Sequence, residues 1–200
     1  MLDSDPIIPN NSSIVKERVL PSTSREDAMR MVGHLERAGR FDAMISYIKI
    51  CIEHEPELET PEEKRYLTTA YKCAITPHRN ALKVANALEQ REESRGSEKL
   101  QLVKDHRLKI EKKMKTYVYD LIQLLDQNLL PAAVEKEDHI SKLFYLRMKA
   151  DYYRYACEYA TGDLQSKMSD AALEAYTESM EICDNYLGSY DPLRIRLVVN

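Results

Sequence analysis

The chain of 200 residues has no tryptophan, two phenylalanines and five glycines. So few glycines argue against a collagen, a β-propeller or a dinucleotide-binding Rossmann domain, all of which need glycine where the backbone turns or approaches closely. No run approaches the roughly 20 apolar residues of a membrane span. The first residues, Met1 to Asn11, carry acids where a secretory leader needs cations and an apolar stretch. The expectation is therefore a cytoplasmic protein, with the nucleus open to it and no membrane partner. Cys51, Cys73, Cys157 and Cys183 are widely spaced and form no C-x-x-C pair. They read as four free thiols in or near a core. The net charge of −4 gives no general attraction for nucleic acid.

What is present is apolar content of 44%, enough for a core, arranged almost throughout at helical spacing. Residues 1–22 hold Pro6, Pro9 and Pro21 and read as a flexible N-terminal tail, leaving 23–200 as one helical domain. Thr23 and Glu26 are placed for a capping box, and the first helix should run to about Ala38 before Gly39 breaks it. A second helix covers about 41–54. Thr60-Pro61-Glu62-Glu63 is a stronger start signal, with a threonine cap, proline at the first helical position and glutamate three after the cap. The third helix follows to about Glu93.

A fourth, about 98–128, carries Ile110, Met114, Tyr117, Leu121 and Leu124 on one face. A loop is predicted at 129–137 around Pro131. A fifth helix covers about 138–160. A sixth, about 164–187, has the stripe Leu173, Tyr176, Met180, Cys183 and Leu187, and a seventh begins at Asp191-Pro192. No segment alternates like a strand. The predicted fold is all-α, an antiparallel helical array.

No phosphate-binding glycine loop, H-E-x-x-H or G-x-S-x-G is found, and the five histidines are scattered. No enzyme, metal site or cofactor is expected. Two features stand out. Lys72, Arg79 and Lys83 share one face of the third helix. Arg147 and Arg154 are seven apart in the fifth, with Asp151 between them, Glu158 one turn on, and Tyr152-Tyr153-Arg154-Tyr155 around the second arginine. Such cations are either a solvated stripe, worth about 0.2–0.5 kcal/mol per i,i+4 pair, or two converging faces that grip a phosphate. In the second case Glu158 would hold the Arg154 guanidinium. Periodicity does not decide between them.

These residues resemble a known family. Ala70-Tyr71-Lys72 with Arg79 and Leu88-Glu89-Gln90 is similar to the third helix of 14-3-3 proteins. Phe144-Tyr145-Leu146-Arg147-Met148-Lys149-Ala150-Asp151-Tyr152-Tyr153-Arg154-Tyr155 resembles that family's fifth-helix signature. Arg40-Phe41-Asp42, Lys109-Ile110-Glu111 and Pro192-Leu193-Arg194 fall in matching order, so the resemblance covers about 24–200. It implies a nine-helix antiparallel fold, seven of whose helices are represented, with an amphipathic groove. It also implies a non-catalytic adaptor that regulates phosphoserine- or phosphothreonine-bearing partner proteins in signalling. By position, Lys72, Arg79, Arg154 and Tyr155 would bind the phosphate, and Arg147, Glu158, Val199 and Asn200 would line the peptide groove. The alternative is a helical scaffold that binds unphosphorylated amphipathic segments.

The sequence departs from that pattern in four places. The last two helices of the family fold are lacking, which reads as a truncated domain. Thr76-Pro77-His78 replaces small residues and an arginine between Lys72 and Arg79, so that a proline kink would displace Arg79 and a mild bend would not. Arg196 stands where the family has glycine. At the positions of the family's dimer seam, Arg40 is set against Lys113, Ala43 with Lys109 loses the acid of a second pair, and His34 replaces an apolar residue. A homodimer or heterodimer is then expected to be weakened or altered.

Overall fold

The computed structural model describes residues 23–188 together with Asp191, Pro192 and Arg194. The predicted tail at 1–22, Arg196, Val199 and Asn200 lie outside the described residues. So does all of the predicted seventh helix except Asp191, Pro192 and Arg194, of which the last two are helical.

Among the described residues the secondary structure is helical, with no strand. Six longer helices are α1 (Arg25–Arg37), α2 (Phe41–His54), α3 (Pro61–Ser94), α4 (Leu100–Leu124), α6 (His139–Ala156) and α7 (Gly162–Tyr186). A short α5 (Leu130–Glu135) follows a π-helical turn at Leu125–Leu129.

Local chemistry accounts for most boundaries. Thr60 Oγ1 accepts from the Glu63 amide at 3.1 Å, and the Glu63 carboxylate accepts from the Thr60 amide at 3.4 Å, so the predicted capping box forms. At the start of α1 the cap is one residue later than predicted. Ser24, not Thr23, has the extended cap conformation, and its Oγ accepts from the Asp27 amide at 3.1 Å. The Thr23 carbonyl instead lies 3.0 Å from His54 Nε2.

Two left-handed glycines reverse the chain. Gly39 has φ +66° and Gly96 φ +61°. In each case the following amide returns to a carbonyl in the last helical turn, Arg40 to Leu35 at 3.0 Å and Ser97 to Glu92 at 3.1 Å. These reversals make α1/α2 and α3/α4 antiparallel neighbours.

The predicted loop at 129–137 is a correction. Helical backbone continues through Glu135, and only the residues around Lys136–Asp138 form a turn. Pro131 sits in the first turn of α5, where its missing N–H costs little. The wider π turn before it changes the hydrogen-bond register at the proline.

The main core joins α1 to α6 and the first part of α7. It is built on Met44, Ile48, Leu67, Tyr71, Ile75, Met114, Leu121 and Tyr145, all essentially inaccessible. The predicted α4 stripe from Ile110 to Leu124 is buried as expected. Polar contacts tie the layers together. Asp120, buried on α4, accepts from the Tyr71 hydroxyl at 2.6 Å and pairs with Lys49 of α2. The Tyr117 hydroxyl donates to Asp42 at 2.6 Å.

The stripe predicted for α7 needs a second correction. Leu173 is 66% exposed, while the buried face is Met168, Ala172, Ala175, Ser179, Ile182 and Cys183. At 100° per residue the buried face is rotated by roughly 80° from the stripe of large residues. Small side chains let α7 lie close against α6. Tyr176, Met180 and Leu187 pack only at the edge, around Leu143, Leu146, Ile182 and Cys183. The cysteines are free, with Cys51 and Cys183 buried and Cys73 and Cys157 half-buried. Burial pushes the Cys51 thiol up to about 11. No described helix is long and apolar enough to cross a membrane.

Candidate phosphate-binding cavity

The two cationic faces singled out in the sequence do converge. Thr68 and Lys72 of α3 meet Phe144, Arg147, Met148, Asp151, Tyr152, Arg154 and Tyr155 of α6 around an open cavity of about 210 Å³. Lys72 is exposed at one wall, and Arg147 is half-buried at the other. The cation spacing on each helix set this up, since residues seven apart return to nearly the same azimuth.

Arg79 lies beside this cavity and is held in a double grip. Its Nε donates to both Glu158 oxygens, at 3.1 and 2.9 Å, and its Nη2 donates to Glu158 Oε1. The guanidinium carbon also lies 3.7 Å from the centre of the Tyr155 ring. The hydrogen bonds to Glu158 raise the Arg79 pKa above its ordinary value. One edge of the fork is thereby occupied.

The role expected of Glu158 is therefore corrected. It grips Arg79 of α3, not Arg154 of its own segment. The reason is backbone geometry. Helix α6 ends at Ala156, with Cys157 as its C-cap, so Glu158 has left the i,i+4 register with Arg154. The partner of Arg154 is Asp151, whose Oδ1 accepts from Nη2 at 3.1 Å and from the Tyr176 hydroxyl of α7 at 2.7 Å. Partial burial opposes the charge on Arg154, but the contacts with Tyr176 and Asp151 outweigh it, and its pKa lies above the ordinary value. Arg154 also stands over the Tyr155 ring, 5.0 Å from its centre.

Each arginine thus has its own carboxylate, and both share Tyr155. Fixing a guanidinium in advance reduces the side-chain entropy lost when an anion binds. Lys72 and Arg147 form no ion pair with a carboxylate among the described residues, which leaves the cavity electropositive. The sequence had shown Asp151 at i,i+3 from Arg154 without a role. Tyr176 was read only as part of an apolar stripe. The Tyr152 hydroxyl is buried at the cavity wall with no hydrogen-bond partner among the described residues. Burial raises the Tyr152 pKa well above the ordinary value, so it stays a neutral phenol.

Not every cation of the predicted face takes part. Lys83 remains exposed and does not line the cavity. Helix α3 runs unbroken through Pro77, and Arg79 beyond it still reaches Glu158 and Tyr155. Proline has no N–H for the Cys73 carbonyl, while the Thr76 hydroxyl donates to the Lys72 carbonyl at 2.6 Å.

The seam residues are grouped around the α1–α2 turn and α4. His34 is exposed, with its Nδ1 2.8 Å from Arg37 Nη2. Arg40, Lys109 and Lys113 are exposed, and Ala43 is buried.

Comparison with known proteins adds an independent line. A family model described as 14-3-3 protein matches residues 31–200. The checkpoint signal transducer rad24 of Schizosaccharomyces pombe is 36% identical over 182 residues, covering 90% of this chain and 66% of the relative. The 14-3-3 family protein artA of Aspergillus flavus is 37% identical over 176 residues, covering 88% and 72%. The 14-3-3 protein zeta of Bombyx mori is 36% identical over 180 residues, covering 90% and 70%. The chain spans about two thirds of the length of the curated relatives it matches.

Proposed function

Because this chain belongs to the 14-3-3 family, we propose that it is a signalling adaptor without catalysis that binds partner proteins through phosphoserine or phosphothreonine. The observation that carries this reading is the convergence of Lys72, Arg147, Arg154 and Tyr155 on one cavity, with Arg79 held beside it. A phosphate dianion would meet Lys72 as a point charge and Arg79 and Arg154 as planar forks, with the Tyr155 hydroxyl completing its shell. Arg147 and Glu158 would border the peptide beyond the phosphate, with Val199 and Asn200 as further groove residues. The name of the rad24 relative, a checkpoint signal transducer, agrees with a signalling role.

The cavity acts by electrostatics and fixed geometry alone. Arginine does not release a proton at physiological pH, so Arg79 and Arg154 stay charged beside Glu158 and Asp151 and act as fixed donors. Binding should follow the charge of the ligand. The second phosphate ionisation lies near pH 6, so affinity should fall as pH drops through about 6.

The seam points to weakened or altered self-association, because Arg40 and Lys113 present like charges where a self-pairing fold needs opposite ones. Rim pairs of this kind are worth only about 0–1 kcal/mol each, so the effect is one of partner choice more than of fold.

Two fluorescence anisotropy titrations test the adaptor reading. One peptide carries phosphoserine in an Arg-x-x-Ser-x-Pro frame, and the other is identical but unphosphorylated. Binding of the phosphorylated peptide alone is the expected result. Equal binding of both would replace the adaptor by the scaffold that takes unphosphorylated amphipathic segments.

A further inference from the structure

Asp151 lies between two arginines of its own helix. Arg147 precedes it by one turn, at i−4, and Arg154 follows at i+3, so all three share a face of α6 and line the same cavity. At these spacings either guanidinium is a neighbour of the carboxylate. Asp151 nevertheless holds Arg154 alone. Its Oδ1 accepts from Arg154 Nη2 at 3.1 Å, while Arg147 forms no ion pair with a carboxylate among the described residues. Helix direction gives only a slight preference. An acid N-terminal to its base is the favoured order, and such pairs are individually weak.

A neighbouring helix supplies the missing direction. The Tyr176 hydroxyl of α7 donates to the same Oδ1 at 2.7 Å. Its position follows from how α7 packs. Ala172, Ala175 and Ser179 are buried and small, which brings α7 close to α6. Tyr176, next to Ala175 and one turn after Ala172, is carried to the edge of that contact, where it is half-buried and packs against Leu143, Leu146, Ile182 and Cys183. Burial and the bond to Asp151 push the Tyr176 pKa up to about 12, so the hydroxyl keeps its proton and remains a donor at physiological pH. With Tyr176 and Arg154 both on Oδ1, the carboxylate is engaged on the Arg154 side, and Arg147 is left without a counter-ion.

We propose that Tyr176 is a positioning residue for phosphate binding: its hydroxyl holds Asp151 on Arg154 and off Arg147, so that one arginine is fixed in advance and the other keeps its charge for the ligand. This rests on the phosphate-binding reading above and adds to it a residue of α7, outside the two helices that supply the cations. Without the hydroxyl, Asp151 exchanges between the two arginines. Whenever it turns to Arg147, Arg154 loses its fixed orientation and Arg147 is neutralised, and both changes weaken the attraction for a dianion.

The test is anisotropy titration of the full chain with the phosphoserine peptide and its unphosphorylated twin. It compares the unaltered chain, Tyr176→Phe, Arg147→Gln and the double variant. Phenylalanine removes only the hydroxyl, and circular dichroism checks that the helices are intact. Should that variant not fold, Tyr176→Met takes its place. Tyr176→Phe should weaken phosphopeptide binding about fivefold, the worth of one directional hydrogen bond. In the Arg147→Gln background Asp151 has no second arginine to turn to, and the same change should cost less than about twofold. An equal loss in both backgrounds would mean that the phenol supports the site without choosing between the arginines, and would overturn the proposal. An affinity unchanged by Tyr176→Phe would overturn it too, with the adaptor reading left standing. Absence of phosphate-dependent binding by the unaltered chain would overturn the adaptor reading and this proposal with it.

Discussion

The α3–α6 cavity and the solvent face of α4 both carry cations, and they hold them in opposite ways. In the cavity Arg79 is locked by Glu158 and Arg154 by Asp151, and the two arginines share the Tyr155 ring. On α4 Lys109, Lys112 and Lys113 stand in solvent with no carboxylate partner among the described residues. A locked guanidinium presents a fixed pattern of donors and has little freedom left to lose, so it can recognise the shape of a phosphate. Solvated lysines offer long-range attraction without a fixed geometry, which steers and selects partners more than it adds affinity.

The sharpest way to break this comparison is to reverse a cavity charge. Lys72→Glu should weaken binding of the phosphoserine peptide by about a hundredfold or more, since it places an acid against the dianion. Anisotropy titration reads this directly, and an affinity unchanged within a factor of two would remove Lys72 from the site.

The next largest effect lies on the segment of α3 between the two regions. Pro77→Ala should restore the amide that the Cys73 carbonyl lacks and raise stability by about 1–3 kcal/mol. Urea denaturation measures it. Peptide affinity should change little, because Arg79 is already in place with the proline present.

Releasing the lock should cost less than removing a charge. Glu158→Gln keeps the size of the side chain and removes its charge, which frees Arg79 from its bidentate pair. Two opposing consequences follow, a more positive cavity and a looser fork. If prior fixing of the guanidinium dominates, affinity drops by about tenfold. A gain in affinity would mean that Glu158 competes with the ligand instead of preparing its site.

The smallest effect belongs to His78 of α3, which stacks on Tyr117 of α4. Burial, together with the charge of Lys113, lowers the His78 pKa from the ordinary 6.5. The unfolded chain therefore binds the His78 proton more readily than the folded one, and protonation favours unfolding. The contribution of His78 to stability is fully present above pH 6.5 and is lost as pH falls from there through the lower folded value. His78→Gln should flatten this part of the stability profile measured by urea midpoints at a series of pH values, and an unchanged slope would show that His78 titrates alike in both states.

Local features were legible in the sequence in proportion to how local they are. Thr60, Pro61 and Glu63 marked the start of α3 because a capping box closes within four residues. Ile110, Met114, Tyr117, Leu121 and Leu124 marked the buried face of α4 because large side chains there also make the deep contacts. The same reasoning misplaced the face of α7. There Ala172, Ala175 and Ser179 are buried precisely because they are small enough for a close approach to α6, and size-weighted reading passes over them. Pro131 suggested a loop because proline breaks a helix interior, yet a π turn put it in a first turn instead.

The candidate site divides along the same line. Its members were found by spacing on each helix and by resemblance of the Tyr152 to Tyr155 block. Their pairing was not. Arg154 lies four residues before Glu158, and sequence distance favours that pair, but the end of α6 at Ala156 carries Glu158 out of reach and toward Arg79, 79 residues earlier.

By itself the sequence determined the helices, the cationic faces they present and the absence of matching acids at Lys109 and Lys113. These follow from residue identity and a period of 3.6, which need no partner element. Only the tertiary structure decided that the faces of α3 and α6 meet, which carboxylate holds which arginine, and that a cavity opens at the α1–α2 turn. Each of these is a matter of distance between segments remote in sequence, set by how side-chain volumes pack across helices, and no periodicity along one chain encodes it.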